Sequence, residues 1–123
     1  MKRRTFKTAW FSRAARKADI PDEELCRAVR QTQAGQCDDL GGGVFKKRVS
    51  RNLYRSIILA RSGRHWVLAY LFAKKDRANI DAAELAGFRE LAKVYETLTV
   101  VQLDALLTDK EFEEICDGDQ KQV

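Results

Sequence analysis

An α+β domain, with a mostly antiparallel sheet of about four strands, an N-terminal helical hairpin and C-terminal helices, is predicted by three features of the sequence. A lone strand-like segment leads into apolar residues at helical spacing, three strand-like segments then follow one another across tight turns, and capped helical patterns fill the remainder. No repeat, low-complexity tract or linker interrupts them. The 123 residues suit one domain, with a core at about 3–95, a helical extension at about 96–117 and a fraying tail at 118–123.

Residues 3–8 alternate around Phe6 and predict a short strand, after which Trp10, Phe11, Ala14, Ala15 and Ala18 recur at helical spacing. Pro21 and the acids Asp22, Glu23 and Glu24 suit the positive end of a second helix, which carries Leu25, Ala28 and Val29 and closes at Gly35. Asp38-Asp39-Leu40-Gly41-Gly42-Gly43 reads as a breaker loop. Strands are predicted over 44–49, 54–60 and 66–73, joined by turns at Arg51-Asn52 and Ser62-Gly63 into an antiparallel meander. Asn79 or Asp81, with Glu84, starts a helix whose Leu85, Phe88, Ala92 and Tyr95 form one stripe. Thr99 with Gln102 repeats the capping pattern before Leu103, Leu106 and Leu107, and a last amphipathic helical turn is expected around Phe112 and Ile115.

The net charge of +5 is modest, but it is segregated. Residues 1–17 carry seven cations and no acid, residues 46–77 carry ten cations against Asp76 alone, and residues 104–123 carry seven acids against two lysines. Three cysteines without a C-x-x-C spacing, and a single histidine, form no usual zinc set and suggest unpaired thiols in a reducing cytoplasm. The charged start breaks any signal-peptide apolar region, and the longest apolar run, eight residues from Trp66 to Ala73, is far short of the ~20 that span a bilayer. Export and a membrane partner are therefore not expected.

Counting across the two predicted turns sets Arg48 opposite Arg55, and Arg55 opposite Tyr70. Lys46, Arg48, Arg55, Ile57, Tyr70 and Phe72 then share one face, with Lys74 near its end. The other face, with Phe45, Val49, Tyr54, Ile58, Val67, Ala69 and Leu71 around Lys47, packs on the helices. A one-residue bulge would exchange these assignments. Arginines directly opposite each other repel unless an anion lies between them, and phosphate is the natural candidate. The alternative is a solvated basic face.

Lys46-Lys47-Arg48-Val49, Tyr54-Arg55-Ser56-Ile57-Ile58 and Leu71-Phe72-Ala73-Lys74-Lys75-Asp76-Arg77-Ala78-Asn79-Ile80 resemble the RelE/ParE superfamily of bacterial toxin-antitoxin toxins, in its RelE-like branch. The resemblance implies a toxin neutralised by an antitoxin encoded beside it, a helix-turn-helix DNA-binding protein. It also implies a metal-independent and cofactor-free endoribonuclease that cuts mRNA, often on the ribosome, in the cytoplasm. By position, Lys46 and Arg48 match the family's basic pair, one aiding deprotonation and one holding phosphate, and Arg55 matches its transition-state arginine. Lys75 or Arg77 corresponds to the basic residues beyond the fourth strand, while Lys47, Arg51, Tyr70 and Lys74 are expected to contact RNA.

Two features depart from the pattern. The family's Ser-Gly-Gly before Tyr-Arg is shortened here to Arg51-Asn52-Leu53, and Asp81 stands roughly where some members carry an aromatic or histidine acid. Two rival readings follow: a ParE-like non-catalytic gyrase poison, and a nucleic-acid-binding module without chemistry. His65, Trp10, Phe11, Trp66 and Cys26 read as surface or packing residues, and neither the Asp38-Asp39 pair nor the glycine run fits a calcium or phosphate loop.

Overall fold

The computed structural model describes residues 3–116. Strand β1 (Arg4–Thr8) runs into helix α1 (Ala9–Lys17), where the Thr8 side chain caps the helix by accepting from the Phe11 amide; α2 (Asp22–Gln33) follows, with its three acids in the first turn. Next come β2 (Asp38–Gly41), β3 (Val44–Val49), β4 (Tyr54–Leu59) and β5 (His65–Ala73), then α3 (Ala82–Glu96), α4 (Val100–Thr108) and β6 (Phe112–Ile115). Both C-terminal helices begin in the capping boxes expected of Asp81 with Glu84 and Thr99 with Gln102.

The sheet has the order β2-β3-β4-β5-β1-β6, with β1 parallel to β5 and every other neighbour antiparallel. Among the described residues it holds six strands, not about four. The two unforeseen ones have physical reasons. In the presumed breaker loop, Gly41, Gly42 and Gly43 all take positive φ and turn β2 back onto β3, so that Asp38 pairs with Lys46 and Asp39 with Phe45. Phe112 and Ile115, read as one face of a helical turn, sit on β6 with Phe112 packed on one side of the sheet and Ile115 on the other. A spacing of three means one face of a helix but opposite faces of a strand. The tail at 118–123 lies outside the described residues.

Both faces of the sheet are covered. Phe11 and Ala15 of α1 and Leu25, Ala28 and Val29 of α2 pack with Ile58, Leu68 and Leu71, whereas Ala92 of α3 and Leu103 of α4 pack with Phe6, Ile57, Leu59 and Phe72 on the opposite side. The expectation of one uncovered basic face is thus corrected. Two helix pairs need two apolar surfaces, and α3 and α4 take the half of the supposed basic face that carries Ile57, Tyr70 and Phe72.

The β4–β5 register differs too. Leu59 pairs with Val67, one residue beyond the expected alignment, and a bulge at Ala69 adds a second shift, so Arg55 lies opposite Phe72 and not Tyr70. Two shifts preserve parity, which keeps Arg55, Tyr70 and Phe72 on one side. Before the bulge only one shift applies, and Val67 moves to the α3–α4 side, as does Ala69.

The expectation of three unpaired thiols is overturned: Cys26 of α2 and Cys116, which follows β6, form a disulfide, leaving Cys37 free. Ninety residues of sequence separation concealed that approach.

His65 opens β5 as a buried residue, edge-on to Phe6, and neither ring nitrogen reaches good hydrogen-bond geometry among the described residues, although the Leu98 and Arg64 backbone lies near the ring. Burial, and then the nearby Arg64 charge, lower its pKa, an effect partly offset by the Leu98 backbone carbonyl. A depressed histidine pKa means the unfolded chain takes up the proton first. The stabilising contribution is therefore complete above about pH 6.5 and is lost as pH falls from there through the folded-state pKa. Denaturant midpoints measured between pH 7.5 and 5 should fall more steeply for the wild type than for His65→Gln.

Candidate nucleic-acid interface

The site grows from the β3–β4 hairpin. Alternation along β3 sends Lys46 and Arg48 to the same side, and the register sets Arg48 directly across from Arg55. Three consecutive residues in the turn, Ser50, Arg51 and Asn52, have φ of 54°, 53° and 69° without a glycine among them, a conformation that costs energy for ordinary L-residues. Bent this way, the turn offers its backbone to Arg55, whose guanidinium donates to the Asn52 carbonyl at 3.1 Å and the Tyr54 carbonyl at 3.3 Å. That fixes the arginine within a cavity of about 290 Å³ lined by Gln36, Cys37, Asp38, Lys46, Lys47, Arg48 and Arg55.

The four cations are held differently. Lys46 lies 3.7 Å from the Asp38 carboxylate of β2, which faces it across the strand pair. Lys47 donates to the Gln36 carbonyl at 2.7 Å. Burial lowers its pKa most, with Cys37 opposing and Arg48 adding to the lowering. Arg48 is exposed and makes no side-chain hydrogen bond or ion pair among the described residues. The Cys37 thiol is pushed up, first by burial and then by Asp39, against the pull of Lys47. Asp38 escapes sequence reasoning because Asp38-Asp39 reads as part of a breaker loop; only the glycine hairpin, which pairs β2 with β3, places it opposite Lys46.

The remaining candidates lie elsewhere. Arg51 is exposed at the turn tip, and Lys74 and Lys75 are exposed beyond β5. Arg77 is fully engaged: it forks onto the Glu84 carboxylate, reaches the Tyr70 hydroxyl at 3.4 Å and the Asn79 carbonyl at 3.0 Å, and lies over the Phe72 ring. That pairing with Glu84 raises the Arg77 pKa and is the main cause of the lowering at Glu84. Tyr70 is packed between Trp10, Phe72 and Phe88, with ring centroids 5.0, 5.8 and 5.9 Å away. Asp81 is the N-cap of α3, its carboxylate accepting from the Glu84 amide.

Fold and charge pattern meet in one class of protein, the small toxin of a toxin-antitoxin pair. The chain belongs to the RelE family: a family model described as the RelE toxin of the RelE / RelB toxin-antitoxin system matches residues 3–115, which bears out the RelE-like resemblance and implies an antitoxin partner. No curated protein matches the chain. Among the described residues, no helix is long and apolar enough to cross a membrane.

Proposed function

We propose that this toxin is a metal-independent endoribonuclease that cuts mRNA on the ribosome, in the cytoplasm, and is silenced by a helix-turn-helix antitoxin. The observation that carries this reading is the Arg48–Arg55 cross-strand pair, which lines one cavity together with Lys46. Two guanidinium groups in register repel each other, and an anion between them reverses that cost.

In the proposed reaction Lys46 first releases one proton to solvent and parts from Asp38, and the free amine then takes the 2′-hydroxyl proton as that oxygen attacks the adjacent phosphorus. Arg48 holds a non-bridging oxygen, and Arg55, preset by the turn carbonyls, stabilises the dianionic phosphorane. The P–O5′ bond breaks, leaving a 2′,3′-cyclic phosphate and a 5′-hydroxyl whose proton comes from Lys75 or water. Lys47, Arg51 and Lys74 contact neighbouring phosphates; Arg77, committed to Glu84, shapes the site instead of entering the reaction.

The protein added to a cell-free translation mix tests the reading. Cuts in mRNA at codon-related positions are the expected result. Failure to relax supercoiled DNA, with mRNA intact, supports the gyrase poison, and neither effect supports a binder without chemistry.

A further inference from the structure

β1 pairs with β5 from His65 to Leu68 and then turns into α1, so beyond the Ala69 bulge β5 has no strand neighbour on that side among the described residues. The space that opens there is a groove of about 660 Å³ between α1 and the segment joining β5 to α3. Its aromatic part is a row: Trp10, 44% exposed, packs against Tyr70, which packs on Phe72. Cations stand on both rims, Arg13 and Lys17 from α1 and Lys75 from the opposite side, all exposed and none in an ion pair among the described residues. Among the described residues, Asp76 is the single acid lining it. Phe72 in its wall is the cross-strand neighbour of Arg55, so one strand spacing separates the groove from the arginine of the cation cavity.

An exposed tryptophan with two unpaired cations on one rim and a third on the other, among the described residues, suits the bases and phosphates of a single strand. An extended peptide added to the open edge is the competing occupant, but the Ala73 carbonyl that would template it already accepts from the Asp76 and Arg77 amides. We propose that this groove is a subsite for single-stranded RNA next to the linkage held at Arg55, with a base stacked on Trp10 and phosphates gripped by Arg13, Lys17 and Lys75. The inference rests on the ribonuclease reading above.

The test measures anisotropy of a labelled single-stranded RNA, made uncleavable with 2′-deoxy sugars, across a salt series, for the full-length wild type, Trp10→Ala, Lys17→Glu and Arg13→Ala/Lys17→Ala. Thermal melts establish that each variant is folded; Lys17 lies on an exposed helix face, so its variant remains informative if Trp10→Ala unfolds. The expected result is roughly tenfold weaker binding for Trp10→Ala and a salt slope shallower by about 1.4 for the double variant, about 0.7 for each cation removed. A structural role for these residues would leave that slope unmoved. Folded variants that bind RNA as the wild type does overturn the subsite, as does a wild type that fails to bind at low salt. A loss confined to binding of an acidic peptide also overturns it, in favour of a protein partner. Cleavage in the translation mix, scored separately, shows whether the ribonuclease reading falls with it.

Discussion

Arg55→Ala is expected to lower mRNA cleavage by roughly 10²–10³-fold, the usual consequence of deleting one preorganised transition-state donor. Little stability should go with it. Among the described residues the Arg55 side chain bonds to two carbonyls of the β3–β4 hairpin alone, and its removal relieves the repulsion from Arg48, so the change in folding free energy should stay within about 0.5 kcal/mol. Arg55→Lys sharpens the test: it keeps the charge but loses the planar fork that reaches two oxygens at once, and activity should fall between wild type and alanine. Cleavage rates in a translation extract, read beside melting curves of the three proteins, check both halves. Full activity in a folded Arg55→Ala protein would remove the arginine from the chemistry.

The second large effect is expected on stability. The Cys26–Cys116 bond ties the end of the edge strand β6 to α2 across a separation of 90 residues. Constraining so long a loop in the unfolded chain stabilises a small domain by about 2–4 kcal/mol, so Cys116→Ser, or reduction of the wild type, should lower Tm by roughly 10 °C. Thermal melts with and without a thiol reductant provide the measurement. A native protein that titrates three thiols, and melts identically in both buffers, would show that the bond does not form. RNA cleavage should persist in the reduced form at low temperature, since neither cysteine lines the cation cavity.

Much of the fold was legible because local signals agreed with the global arrangement. The glutamate three residues past Asp81, the acids after Pro21 and the strand-forming runs set between turns at 44–73 each marked an element that the structure contains. What stayed hidden depended on long-range pairing. β6 exists because β1 offers it an edge, with Thr8 beside Phe112 and Thr5 beside Ile115, and nothing within residues 112–115 announces that edge. The Ala69 bulge is equally silent in sequence, yet it decides which side of the sheet receives Val67.

At the site, register carried the reasoning. Arg48 and Arg55 meet as the short turn predicts, because no bulge intervenes between β3 and β4. The sequence placed Arg77 among the reacting cations, but could not show that Glu84, one helical cap away, would bind it. Likewise Asp81 stands near the position of an acid while its carboxylate serves the helix. Side chains that finish a helix and side chains that finish a reaction draw on the same residue types, and only their neighbours tell them apart.

The chemistry assigned to Lys46, Arg48 and Arg55 is tested most directly by the end groups on mRNA cut in the presence of the purified toxin. Attack by the 2′-hydroxyl predicts fragments ending in 2′,3′-cyclic phosphate and beginning with 5′-hydroxyl, absent with Arg55→Ala. Intact mRNA, or fragments with 3′-hydroxyl and 5′-phosphate ends, would contradict it.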